Sequence, residues 1–310
     1  MDNFHTSCCK PLNLAIDVAG RGLDFSSLPK ERAFNRCLVR LVERGGREAA
    51  LGFIHQLGNH RLPTGLVQDG DYYLQVFTGT SQVDRYRGFV QDEEVPVRIV
   101  RGIPSFQEPR FYRNNLIVLR RLARNARNTG RMLRAERAYP CDHPEIRSLA
   151  ASITNGLDDE YGKLLAVHDW VAENIFYDND SLRRLNGRLV ALDRSTLDVL
   201  RTRRGVCQGY SDLAVSLLRA CGIPSESVQC FALGQGTTGG WERPENRVNR
   251  VNHAFTAALI RGRYVLMDIT WDSDNLYSQG RYARVTGQGK MRKYFDVSPL
   301  LFSVGHRMIR

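Results

Sequence analysis

No apolar run in these 310 residues approaches the roughly 18–20 residues that a membrane span needs. Met1 to Gly20 also lacks the basic start and the apolar stretch of about 7–15 residues that mark an export signal. These two absences set the expectation of a soluble, cytoplasmic chain. Cysteine is scarce and scattered: seven residues, at 8, 9, 37, 141, 207, 221 and 230. An odd count at irregular spacing argues against a disulfide framework. No CxxC pair has a matching second pair, which removes the usual structural zinc site. His5 with Cys8 and Cys9 could ligate a metal, but a frayed terminus is the favoured reading. The expectation is therefore no metal and no cofactor. Gly234, Gly236, Gly239 and Gly240 lack the strand-to-helix step of a phosphate-binding turn and read as a loop.

Charge is present but localised. The chain carries a formal +11, and residues 98–137 hold eleven arginines against only Glu108 and Glu136. That segment alone supplies most of the excess, so the rest is close to neutral. Such a stretch can bind a polyanion or an acidic protein partner. A solvated helix face is the favoured reading, because a charge run alone specifies no partner, and nucleic acid is not expected.

Length suggests two folded units, since domains usually run to about 100–200 residues. Leu38, Leu41 and Val42 fall at helical spacing, and Gly45-Gly46 interrupts the pattern before Ala49 to Leu57. Residues 1–65 are thus expected to be a helical region. Residues 66–110 change character: Asp69-Gly70-Asp71 signals a turn, Tyr72 to Phe77 is rich in β-formers, and Val95, Val97, Ile99 and Ile103 alternate with other residues. They read as a small β unit without chemistry of its own. Residues 111–140 read as an Arg-rich connecting helix, and 141–310 as a further domain. Within it, Pro144 suits the first position of a helix that Asn155-Gly156 ends. Asp158 to Asn174 forms a stronger one with a broad apolar stripe. His168 sits on that stripe and reads as a satisfied core histidine.

The informative part runs from 196 to 272. Tyr210, Leu213, Ala214, Leu217, Leu218 and Cys221 repeat at helical spacing, with Gly222 as the C-terminal stop and Pro224 beyond it. Cys207, three residues before Tyr210, falls at the start of the same face. A thiol at a helix N-terminus is favoured as the thiolate, and the unpaired N–H groups there can receive a developing oxyanion. Two β-like runs follow, His253–Ile260 and Tyr264–Thr270, around Arg261-Gly262-Arg263. With Arg261-Gly262 as the tip, residue 255 faces 268, so His253 and Asp268 share one face as diagonal neighbours about 7–8 Å apart. A slip of one residue would separate them. Asp268 lies between Met267 and Ile269, where a carboxylate needs a hydrogen-bond partner. Cys207 as nucleophile, His253 as base and Asp268 as the group orienting it form a mechanically consistent set.

These residues, in this order, resemble the transglutaminase-like superfamily, whose fold relates to papain-type cysteine proteases. The resemblance covers about 141–305. It rests on Lys163 to Val171 with Asn174-Ile175-Phe176-Tyr177-Asp178, on Arg204 to Tyr210, on Asn252-His253-Ala254-Phe255, and on Met267 to Asp272. Tyr294 to Ser298 resembles the closing segment of bacterial members. It implies an α+β, papain-like core in which a helix bearing the nucleophile packs on an antiparallel sheet, preceded by a small helical and β region. It implies the same roles for Cys207, His253 and Asp268. Gln208, Tyr177 and Trp271 become candidates for the oxyanion or substrate pocket.

The function expected is acyl transfer on protein or peptide amides through a thioester, with water or an amine as acceptor. The rival reading is a non-catalytic interaction protein that holds an acidic partner through its Arg-rich surface. Acceptor choice depends on pocket shape and water exclusion, which the sequence does not carry.

Overall fold

Strand pairing governs the N-terminal third of the chain. The structure, a computed structural model, describes residues 3–5, 14–27, 36–43, 46–54, 60–79, 89–125, 129–185, 188–191, 194–234, 241, 246, 248–287 and 289–309. Cys8, Cys9 and the loop glycines 236, 239 and 240 lie outside these residues. The chain divides into two units, residues 1–112 with 296–304 and residues 113–295 with 305–310.

The first unit contains two antiparallel sheets. One is formed by β1 (Asn3–His5), β2 (Leu14–Val18), β3 (Gly22–Ser27) and β6 (His60–Pro63). The other has the order β5-β4-β7-β8-β9, with β4 (Arg36–Glu43), β5 (Glu48–Ile54), β7 (Gly70–Gly79), β8 (Phe89–Val100) and β9 (Ile103–Phe106). Ile16, Leu23 and Phe25 of the first sheet and Val39, Leu41, Leu74, Val76, Val95, Val97 and Ile99 of the second share one apolar core. The β expectation for 66–110 therefore holds but is too short. The helical expectation for residues 1–65 is wrong: the elements described there are the strands β1 to β6. Cys37, Leu38, Val39, Leu41 and Val42 are all buried, so both phases of the strand are apolar and an i, i+3, i+4 pattern arises by coincidence. Gly46, in the left-handed region at φ 94°, belongs to the turn joining β4 to β5.

The second unit begins with α1 (Tyr112–Asn125), shorter than the connecting helix expected over 111–140. A single 3-10 turn at Arg131–Leu133 follows. α2 (Pro144–Ile153) has Pro144 in its first turn, and α3 (Glu160–Asn174) is capped by Asp159, whose carboxylate accepts the Gly162 N–H at 2.9 Å. β10 (Phe176–Asp178), the hairpin β11 (Leu182–Leu185) and β12 (Arg188–Ala191), α4 (Thr196–Thr202) and β13 (Arg204–Gly205) lead to α5 (Cys207–Ala220). α5 is buried from Gly209 to Arg219 apart from the half-buried Asp212. It ends where Gly222 turns left-handed at φ 80° and the Ile223 N–H closes back on the Leu218 carbonyl at 2.9 Å.

α5 lies on a four-stranded antiparallel sheet of order β16-β15-β14-β19, formed by β14 (Ser225–Ala232), β15 (His253–Ile260), β16 (Arg263–Met267) and β19 (His306–Met308). Arg261 and Gly262 form the two-residue tip between β15 and β16, both left-handed (φ 51° and 77°). Thr256 faces Met267, the register read from the sequence. β16 ends there, and Asp268 instead caps the short α6 (Ile269–Asp272). β17 (Asn275–Ser278) and β18 (Arg281–Arg284) complete a second small sheet with β10 and β13.

The start of α5 is tightly seated on α4. A Cβ added at Gly209 would lie 3.0 Å from Cγ2 of Val199, and one at Gly205 3.2 Å from its Cγ1. Gly209→Ala is therefore expected to cost about 1–3 kcal/mol in overpacking, reduced by up to about 1 kcal/mol of helix propensity. In a Val199→Ala background the same change should become neutral or stabilising. Urea denaturation of the four proteins reads this coupling directly.

Candidate active site

Cys207 is the first residue of α5 and is partly exposed. Val206 precedes it with no side-chain cap, so the first turn keeps its N–H groups for another acceptor. His253 opens β15, and its Nε2 donates to Asp268 Oδ2 at 2.7 Å. Cys207 lines the same cleft as His253 and adds to the rise in the proton affinity of that imidazole. The β15–β16 hairpin thus sets His253 against Asp268, and the start of α5 brings Cys207, distant in the chain, to the same cleft. Burial pulls the proton affinity of His253 down, but the charge and hydrogen bond of Asp268, with Cys207, outweigh it and raise its pKa to about 10. Asp268 is fully buried, which would push its carboxyl up; His253 and His306 instead hold it well below the usual carboxylate range.

Asp268 is more constrained than an orienting carboxylate requires. Its Oδ1 accepts the Trp271 N–H at 3.2 Å, as the cap of α6, while Oδ2 also receives Nε2 of His306 at 2.8 Å. His306 was not singled out in the sequence. It stands outside any motif, and nonlocal contacts, among them the pairing of β19 with β14, bring it to the site. His253, Asp268 and His306 are the described residues whose atoms cluster closely enough to suggest a metal. Two of their separations, 2.7 and 2.8 Å, are hydrogen-bond lengths, shorter than the roughly 3.3 Å between tetrahedral zinc ligands.

Cys207 and His253 open onto a cleft of 780 Å³. Leu182, Val206, Val248, Val251, Leu276 and Val285 give it an apolar wall, and Arg250 adds one positive charge. Tyr177 and Trp271 also line it. Burial, with the charges of Cys207 and Asp268, pushes the Tyr177 phenol up to about 12, so it remains a hydrogen-bond donor at neutral pH. Gln208 differs. Its side-chain amide donates to Asp212 at 2.7 Å and to Ser227 at 3.0 Å, and it does not line the cleft. A polar residue four positions along the helix captures it.

His168 is completely buried and bonded at both nitrogens, to Asp169 Oδ1 and Asp272 Oδ2, each at 3.1 Å. Asp169 in turn accepts from Arg292 Nε at 3.1 Å, and Asp272 from the Tyr294 N–H at 3.0 Å. The core reading of His168 is correct, yet its partners are ionic and they tie α3 to α6, which carries Trp271. Burial lowers the proton affinity of His168 but the two carboxylates outweigh it, so its pKa is raised above 6.5. His168→Leu should cost about 3–5 kcal/mol near pH 6, since Asp272 is left buried without its cation. The imidazolium contribution is complete below the unfolded value of 6.5 and is lost as pH rises through the folded value. The gap in urea midpoint between wild type and variant should therefore narrow towards alkaline pH.

The model of the transglutaminase-like superfamily matches residues 147–269, a span that holds Cys207, His253 and Asp268. This stretch belongs to the transglutaminase-like superfamily. The transglutaminase-like region is 23% identical over 128 residues to the kyphoscoliosis peptidase of Mus musculus, covering 41% of this chain and 18% of the relative. For the kyphoscoliosis peptidase of Homo sapiens the values are 25% over 162 residues, 44% and 23%. The chain thus spans about a fifth of the length of these relatives. Among solved structures, the periplasmic domain of TgpA from Pseudomonas aeruginosa is 14% identical, covering 78% of this chain and 89% of that one at a TM-score of 0.32. No described helix is long and apolar enough to cross a membrane.

Proposed function

We propose that the transglutaminase-like region is a cysteine-dependent acyltransferase or hydrolase acting on protein or peptide amides. The observation that carries this reading is the convergence of Cys207, at the uncapped start of α5, with the His253–Asp268 pair at 2.7 Å on one cleft. Cys207 attacks the amide carbonyl as the thiolate, its proton held on His253. The carbonyl oxygen becomes an oxyanion beside the first-turn N–H groups of α5, with the Tyr177 hydroxyl on the cleft wall as a second donor. His253 then gives its proton to the leaving nitrogen, the C–N bond breaks, and the acyl group remains on Cys207 as a thioester.

An acceptor next enters the cleft. Water, activated by the now neutral His253, hydrolyses the thioester; a primary amine forms a new amide instead. Either way the proton returns to His253 and Cys207 is regenerated as the thiolate. The apolar wall favours an acyl donor flanked by apolar side chains, and the relatives named as peptidases favour a polypeptide substrate. Mass spectrometry of the protein incubated with a peptide library and a primary amine tests this reading. Cleaved, deamidated or amine-bearing peptides are the expected products. A peptide library showing none of these three changes would overturn the proposal and favour a binding role.

A further inference from the structure

Asp268 Oδ2 has two imidazole donors, and the second is as carefully held as the first. His306 is fully buried and opens β19, opposite Ala232 of β14. Asn115 of α1, also fully buried, clamps its backbone: the Asn115 amide donates to the His306 carbonyl at 2.9 Å and accepts the Met308 N–H at 2.8 Å. The ring lies 4.3 Å from that of Trp271 and 6.1 Å from that of Tyr294. Strand pairing, a side-chain clamp and aromatic packing therefore all aim Nε2 of His306 at one carboxylate oxygen.

The consequence follows from sharing. A carboxylate oxygen that accepts two N–H groups binds each less strongly than it would bind one. The Trp271 N–H holds Oδ1, so the carboxylate stays in place when one donor is lost and Oδ2 turns fully to the other. We propose that His306 is a positioning residue that divides the charge of Asp268 with His253, and so keeps the proton of His253 loose enough to be handed to a leaving group. The inference rests on the reading of Cys207, His253 and Asp268 as an acyl-transfer site. An imidazolium gripped too tightly is a poorer general acid. The other titratable groups around this trio are Cys207 on α5, Cys230 on β14, Tyr177 on β10, Asp272 on α6 and Tyr294.

The test needs no knowledge of the substrate. Iodoacetate is an anionic alkylating agent: it reacts with the thiolate and is drawn in by the imidazolium, so its rate falls at alkaline pH when His253 loses its proton. Its rate at Cys207 is followed by mass spectrometry across pH in wild type, His306→Phe and His306→Gln. The Phe variant keeps an aromatic ring but loses the donor, and its alkaline fall should move up by about half to one pH unit, roughly a three- to tenfold change in proton affinity. The Gln variant can return an N–H near the position of Nε2, and its fall should stay near that of wild type. A purely structural role would lower the melting temperature without moving the fall. Should the Phe variant not fold, His306→Asn, whose amide is too short to reach Asp268, takes its place with the same expected shift. An alkaline fall that stays put or moves down overturns this inference alone. A wild-type Cys207 that reacts no faster than Cys221 overturns the acyl-transfer reading beneath it.

Discussion

Cys207→Ala is expected to abolish turnover, by at least about 10⁴-fold, while leaving the fold intact. The size of the loss follows from the absence of a substitute. The other described cysteines are Cys37, Cys141, Cys221 and Cys230. Burial pushes the thiols of Cys141, Cys221 and Cys230 up, away from the thiolate form that does the chemistry. Cys37 is buried in the core of the first unit. The stability change should be small, below about 1 kcal/mol, because Cys207 is partly exposed and an alanine is well accepted at a helix start. Product formation from the peptide library and a urea melt, run on the same preparation, separate the two effects. Equal product from wild type and variant would remove the thioester from the mechanism.

Asp268→Ala should damage activity and stability together. Its carboxylate meets His253, His306 and the N-terminus of α6, and it is fully buried. Removing it leaves the raised proton affinity of His253 without its source and two imidazoles without an acceptor. The expected cost is about 3–5 kcal/mol for the stranded partners, with about 1 kcal/mol more for the lost cap. Activity should fall by about 10²–10⁴-fold, since His253 loses both its orientation and its charge support. Asp268→Asn distinguishes the contributions. It keeps a single acceptor oxygen, for either the Trp271 N–H or an imidazole but not both, so it should recover part of the stability and little of the activity. Full activity in Asp268→Asn would mean that the negative charge plays no part.

The sequence made some of this legible because the signals were local. The capped apolar helix behind Cys207 and the Arg261-Gly262 turn each lie within one element and its neighbour, so spacing alone set the face of α5 and the register of β15 against β16. Nonlocal pairing was invisible. Strand β4 reads as helix because Leu38, Leu41 and Val42 are buried apolar residues on both sides of one strand, and its partners β5 and β7 fix its conformation. His306 carries no motif and gains its place from β14 and Asn115, both distant in the chain. Gln208 was placed correctly on the helix, but its side chain turns to Asp212 and Ser227.

At the centre of the account is the proposal that Cys207 is the nucleophile and His253 its base. Its most direct test is the rate of iodoacetate alkylation, resolved by mass spectrometry at Cys207 and Cys221 in the folded wild-type protein across pH. The expected result is a Cys207 rate at least about tenfold above that of Cys221 near neutral pH, falling at alkaline pH as His253 loses its proton. A Cys207 that reacts no faster than Cys221 near neutral pH would contradict it.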